Sequence, residues 1–211
     1  MKINEIFVSI QGESTYSGLP FLFIRAAGCD LRCTYCDTQY AYYDGKEISL
    51  DSLVGIAEKS GVDHVEITGG EPLLQNETGK LVSTLLDKGF IVLVETSGSE
   101  DISNIDKRAI IIMDVKCPSS GMSDKFLINN INHIKENDEI KFVLSDRDDY
   151  NWAVKFINEN KLETKANILF SPVFGKLKPA DLAKWMTDDK KNYRLNLQLH
   201  KYIWDPDKRG V

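Results

Sequence analysis

The segment FLFIRAAGCDLRCTYCDT, Phe21 to Thr38, runs an apolar stretch directly into a loop that holds three cysteines. Phe21 to Gly28 reads as a buried strand, with Arg25 as its one charged residue. Downstream the pattern recurs. HVEIT, FIVLVET, AIIIMDV, IKFVLS and NILFSPV read as strands, and YRLNLQLH as a final one. SLDSLVGIAEKSG, NETGKLVSTLLDKG, SDKFLINNINHI, DDYNWAVKFINEN and PADLAKWMTD read as the helices between them. Ser49 is placed to cap the first helix, Gly61 and Gly89 to stop the first two, and Pro179 to open the last. Continuous apolar strands between amphipathic helices predict a parallel sheet covered by helices. About six βα units fall short of the eight of a closed barrel. The expected fold is therefore α/β, a partial, open β/α barrel forming one domain over residues 1–211. A flat doubly wound sheet is the alternative.

Composition narrows the class. A formal net charge of −6, with both signs interspersed, argues against nucleic acid or an anionic membrane as partner. The opening MKINEIFVSIQGE lacks the apolar core of a signal peptide. The longest strongly apolar run, Ala109 to Met113, is too short to span a bilayer. A cytoplasmic location is expected, where thiols stay reduced and four cysteines in 211 residues point to metal rather than disulfides.

Polar residues gather where the strands end. Cys29, TGGEP (Thr68 to Pro72), ETSGS (Glu95 to Ser99), DVKCPSSG (Asp114 to Gly121), SPV (Ser171 to Val173) and QLHK (Gln198 to Lys201) all follow apolar runs. Parallel β/α folds bind ligands at the carboxyl ends of their strands, so these six ends should line one pocket.

Cys29, Cys33 and Cys36 make a C-x3-C-x2-C loop. A closed structural zinc site takes four protein ligands, whereas a site that does chemistry keeps a position open. Three thiolates could hold three irons of a 4Fe–4S cluster and leave the fourth for a small molecule. Cys117 could instead complete a zinc or electron-transfer site. Unligated core cysteines are the third option.

With GGEP (Gly69 to Pro72) downstream, the cysteine loop resembles the signature of the radical S-adenosylmethionine superfamily, Tyr35 included. SIQGEST (Ser9 to Thr15), FIRAAGCDLRCTYCDT (Phe23 to Thr38), ITGGEPLLQ (Ile67 to Gln75) and ETSGS extend the resemblance to the 7-carboxy-7-deazaguanine synthase family over most of the chain. The resemblance implies a ring contraction of 6-carboxy-5,6,7,8-tetrahydropterin with loss of ammonia, in queuosine and related 7-deazapurine biosynthesis. Implied cofactors are a 4Fe–4S cluster, S-adenosylmethionine and Mg2+. Implied partners are a flavodoxin- or ferredoxin-like one-electron reductant and a second copy of the chain. A glycyl-radical-enzyme activase and a non-enzymatic iron–sulfur redox module are the rival readings.

Residue by residue, the resemblance implies that Cys29, Cys33 and Cys36 hold the cluster and Thr38 the magnesium. Tyr35, Asp37, Gly70, Glu71, Thr96, Ser97, Asp114 and Lys116 would surround S-adenosylmethionine. Ile10, Gln11, Gly12, Glu13, Arg25, Thr68, His200 and Val211 would surround the pterin. The glycines of GGEP are expected to let the backbone approach the cofactor. Arg25 suits a bidentate clamp on the substrate carboxylate, against the alternative of a structural salt bridge. The chain departs from the family where QGE is followed by Ser14 instead of glycine.

Overall fold

The computed structural model describes residues 1–211. In chain order its elements are β1 (Lys2–Ile10), β2 (Pro20–Ala26), β3 (Lys46–Glu47), α1 (Leu50–Lys59), β4 (His64–Gly69), α2 (Thr78–Asp87), β5 (Ile91–Thr96), β6 (Ile110–Asp114), β7 (Glu139–Leu144), α3 (Arg147–Asn160), β8 (Asn167–Pro172), α4 (Pro179–Asp189), β9 (Arg194–Leu195) and α5 (His200–Ile203). They build one nine-stranded sheet in the order β3-β1-β2-β4-β5-β6-β7-β8-β9. From β2 to β9 every neighbouring pair is parallel. The two edge strands β3 and β9 do not meet, so the barrel stays open as expected.

Local chemistry explains the helices. Ser49 Oγ accepts from the Ser52 N–H at the start of α1, and Asp146 Oδ1 accepts from the Asp149 N–H at the start of α3. Leu53, Val54 and Ala57 of α1, and Leu81, Val82 and Leu85 of α2, bury one face of each helix against the outside of the sheet.

One strand goes beyond the sequence reading, and two expectations need correction. Ahead of Phe21, β1 runs antiparallel to β2, from Ile3 opposite Ala26 to Ile10 opposite Pro20. Most of its residues are only half-buried, which blurs the alternation that marks a strand. Ser123 to Ile134 forms two short 3-10 turns, Ser123–Lys125 and Ile128–Asn132, and no α-helix. Here Asn130 bonds to backbone elsewhere, accepting from Ile102 N–H and donating to the Gly98 and Glu100 carbonyls. The final strand is only Arg194–Leu195, because Leu199 N–H donates to the Gly12 carbonyl at 2.8 Å and turns the chain over the barrel.

The two faces of the strands separate by parity. Leu22 and Ile24, Val65 and Ile67, Val92 and Val94, Ile111 and Met113, and Ile140 and Phe142 point outward into the main core beneath the helices. Inward, the lowest layer is apolar, with Phe21, Phe23, Leu93 and Ile112 in a small cluster of their own. Above it the inward positions turn charged: Arg25, Glu66, Thr68, Glu95, Asp114, Lys116, Lys141 and Ser171 all line one cavity.

Candidate active site

The cavity has a volume of about 740 Å³ and opens at the carboxyl ends of the parallel strands. All six polar strand ends named from the sequence contribute to it, through Cys29, Thr68 with Gly69 and Gly70, Glu95 to Ser97, Asp114 with Lys116, Ser171 with Val173, and Gln198 with His200 and Lys201.

Cys29, Cys33 and Cys36 lie on the cavity wall, partly exposed and unpaired. Burial raises the Cys29 thiol and pushes Cys33 up to about 11. Three thiols on one short loop suit a polynuclear cluster, which takes one iron per thiolate. Cys117 does not join them. It follows Lys116, whose side chain faces the cavity, so parity turns Cys117 outward into the core with 0% exposure. The reading of Cys117 as a fourth ligand is therefore set aside.

Around the cysteines, Tyr35, Asp37, Thr38, Gly70, Thr96, Ser97, Asp114 and Lys116 line the cavity as expected. Glu71 does not. It is fully buried beneath the wall, where its carboxylate accepts from Thr96 Oγ1, from the Ser97 N–H and Oγ, and from the Leu73 N–H. It holds the ETSGS turn and touches nothing in the cavity. The glycines also act differently from expectation. A Cβ on Gly70 would lie 2.1 Å from the Gly28 carbonyl, and one on Gly69 would lie 2.3 Å from that of Ala26. They let GGEP pack on the root of the cysteine loop. With Gly70 N–H bound to Ala26 and Glu71 N–H to Gly28, the free group at this turn is the Gly70 carbonyl, suited to an ammonium. Nearby Asp114 Oδ1 is a buried acceptor with no protein donor, while its Oδ2 pairs with Lys116 Nζ at 2.8 Å. An amine- and hydroxyl-bearing cofactor fits both features.

Deeper, the expected substrate residues Ile10, Gln11, Gly12, Glu13, Arg25, Thr68, His200 and Val211 all reach the cavity. Arg25 makes the structural salt bridge and keeps the ends of its fork free. Its Nε donates to Glu5 Oε1 at 2.7 Å, and Tyr40 Oη donates to the same oxygen, while the terminal guanidinium nitrogens carry no protein bond. Gly12 makes room for the C-terminal segment, since a Cβ there would lie 2.1 Å from His200 Nδ1. Burial lowers the pKa of His200 and favours the neutral ring. Asp37 is held by Lys201 Nζ at 2.6 Å and by Gln198; burial works against its charge, but Lys201 outweighs it and lowers the pKa.

Glu66 and Lys141 escaped the sequence reading, while Glu95 and Gln198 were named there only as strand-end residues. Lys141, 4% exposed, contacts Glu13 Oε2 at 3.1 Å and Asp114 Oδ2 at 3.6 Å, and pairs with Glu95. Thr68 Oγ1 donates to Glu95 Oε2 at 2.8 Å. Burial opposes the charge on Glu95, but Lys141 dominates and draws it down to about 2. Glu66 lies beside them, bound to the Gln11 amide. Gln198 donates to Glu13 Oε1 at 3.1 Å. The signal was present: Glu66 and Lys141 are single charges inside apolar runs, like Arg25.

Residues 23–117 match the family model of the Radical SAM superfamily. The chain is 42% identical to the 7-carboxy-7-deazaguanine synthase of Koribacter versatilis, with 100% of both proteins covered. It is 44% identical to the protein of the same name from Chlorobaculum tepidum, covering 100% of this chain and 97% of the relative. Among solved structures, QueE from Escherichia coli matches with a TM-score of 0.78 over 94% of each chain, at 24% identity, a likeness of fold.

Proposed function

The chain belongs to the 7-carboxy-7-deazaguanine synthase family of the radical SAM superfamily, and from that premise we propose how its cavity divides the work. It is a radical SAM enzyme whose cofactors are a 4Fe–4S cluster and S-adenosylmethionine. The reaction we assign is the ring contraction of 6-carboxy-5,6,7,8-tetrahydropterin to 7-carboxy-7-deazaguanine with loss of ammonia, a carbon–nitrogen lyase step toward queuosine and related 7-deazapurines. The observation that carries this reading is the cavity's two tiers. A thiol-lined rim lies above a charged layer that includes an arginine with free guanidinium nitrogens.

Cys29, Cys33 and Cys36 would hold the cluster. Bound together, cluster and S-adenosylmethionine supply the one-electron chemistry that removes and returns a substrate hydrogen. Gly70 and Asp114 offer the cofactor an open carbonyl and an unpaired carboxylate oxygen. Tyr35, Asp37, Thr96, Ser97 and Lys116 close around it, and Glu71 positions Thr96 and Ser97 from below.

Arg25, fixed at Nε by Glu5, clamps the substrate carboxylate with its remaining N–H groups. Glu13, aligned by Lys141 and Gln198, accepts from the aminopyrimidinone edge, with Ile10, Gln11, Gly12 and Thr68 around it. Neutral His200 and Val211 close the pocket from the C-terminal segment and exclude water. Thr38 would hold the magnesium, whose charge would polarise substrate oxygens.

One continuous sheet supports a single domain over residues 1–211. No helix is long and apolar enough to cross a membrane. A cytoplasmic homodimer served by a flavodoxin- or ferredoxin-like reductant completes the proposal. The test is anaerobic turnover of 6-carboxytetrahydropterin with S-adenosylmethionine, reductant and Mg2+, read by mass spectrometry. The ring-contracted product is expected; its absence from fully clustered enzyme would overturn the assignment.

A further inference from the structure

Among the carboxyl groups that the strands and their adjoining loops turn to the cavity, Glu66 is set apart by its partner. Glu5 has Arg25, Asp37 has Lys201, and Glu13, Glu95 and Asp114 share Lys141. Glu66, 4% exposed, receives only the Gln11 amide. Its surroundings deepen the imbalance. Glu95 on β5 and Glu13 on the loop after β1 face it as like charges, and the one cation in reach, Lys141 on β7, is engaged by those two. The neighbouring β2 offers Phe23 opposite Glu66 in the sheet, and Arg25 one inward position higher, tied to Glu5. Carboxylates crowded around one cation cannot all ionise, and the one without a cation takes the proton.

The hydrogen bonds also locate that proton. Gln11 Oε1 accepts from the Glu13 N–H at 3.0 Å, which fixes the amide and aims its Nε2 at Glu66 Oε2. The carbonyl oxygen is the stronger acceptor of a carboxylic acid, so the bond from Nε2 to Oε2 favours the hydroxyl at Oε1. No protein group bonds to Oε1.

We propose that Glu66 is a specificity-determining residue that presents a carboxylic O–H from the lower tier of the cavity to a hydrogen-bond acceptor on the substrate's pyrimidinone edge. Burial, and then Glu95, push its titration up to about 8, which keeps the hydroxyl in place at neutral pH. The inference rests on the pterin reading, and it adds a requirement: the substrate must carry an acceptor at the position Glu66 faces. A site built around a donor discriminates against analogues lacking the acceptor, because the buried hydroxyl is then left unpaired.

The experiment compares wild-type holoenzyme with Glu66→Gln and Glu66→Leu, measuring KM and kcat for 6-carboxytetrahydropterin across the neutral to alkaline range. In the wild type, KM should climb on the order of tenfold for each pH unit above the titration, with kcat changing less. Glu66→Gln keeps a donor through its amide; it should shift the neutral KM only about threefold and abolish the climb. Glu66→Leu should raise KM at every pH by on the order of tenfold. A climb that persists in Glu66→Gln, or a flat wild-type profile, overturns the inference while leaving the assigned reaction intact. Absence of turnover in the wild type is instead a failure of the assigned reaction. In that case carbon-13 NMR of glutamate-labelled enzyme decides the inference alone, since a Glu66 midpoint in the ordinary carboxylate range of about 4 to 5 overturns it.

Discussion

The outer and inner faces of the same strands obey different rules, although their residues alternate one by one. Outward, Val65, Ile67, Val92, Val94 and Met113 join a core of 34 buried residues closed by helices. Inward, the same strands carry Glu66, Thr68, Glu95 and Asp114 toward a cavity that no helix fills. A parallel sheet needs cover on both faces. Here the second cover is a layer of mutually bonded charges with room above it for ligands. One position of register therefore separates packing from chemistry, and Lys116 beside Cys117 is the sharpest instance.

Two cysteine substitutions test that boundary. Cys33→Ala should abolish cluster assembly and reduce turnover by at least about a thousandfold, checked by iron content and product mass spectrometry. Cys117→Ala should leave iron per chain unchanged and only lower stability, by about 1 kcal/mol, measured by urea unfolding of the apo chain. Equal iron loss in both would break the assignment of the two faces.

Within the inner face, Arg25→Lys keeps the charge and removes the fork. It should lower kcat/KM by on the order of a hundredfold while the fold persists, a split that steady-state kinetics and circular dichroism resolve. Lys141→Met strands Glu13, Glu95 and Asp114 without their shared cation, and should cost about 3 kcal/mol of stability at neutral pH. The pH dependence has a definite sign. Glu95, lowered to about 2 in the fold, contributes stability above the ordinary carboxylate range and loses it as pH falls toward that value. The acid-side loss should shrink in Lys141→Met. Glu66 has the opposite sign: raised to about 8, its contribution is complete below the ordinary carboxylate range and is lost as pH rises through that value. Glu66→Gln should therefore melt higher than wild type in alkali by roughly a few degrees, with the gap closing in acid.

The outer face was the legible one. Runs such as FIVLVET and AIIIMDV, with their capped helices, give the parallel, open fold directly. Motif spacing also brought Cys29, Gly70, Thr96 and Asp114 to one cavity. The deep layer was harder to read, because Glu66, Glu95 and Lys141 belong to three strands whose adjacency depends on sheet order. Glu71 shows the converse. The motif marks it as a site residue, yet it acts through Thr96 and Ser97. Ser123 to Ile134 misled because its apolar spacing is helical, while the tertiary bonds of Asn130 carry more weight than that spacing.

Ser14 stands where the family pattern has glycine, and its φ is +64°. A left-handed backbone at a residue with a Cβ costs about 1 kcal/mol. Ser14 Oγ in turn accepts from the Tyr16 N–H at 3.0 Å, and such a bond contributes about 1 kcal/mol. The two nearly cancel, so the exchange is close to neutral for stability. It is not neutral for mobility, because serine visits fewer backbone states than glycine. The loop that delivers Gln11 and Glu13 is thereby more rigid than in a relative with glycine at this corner. The chain gives up hinge freedom beneath its substrate and gains a pocket floor already set before anything binds.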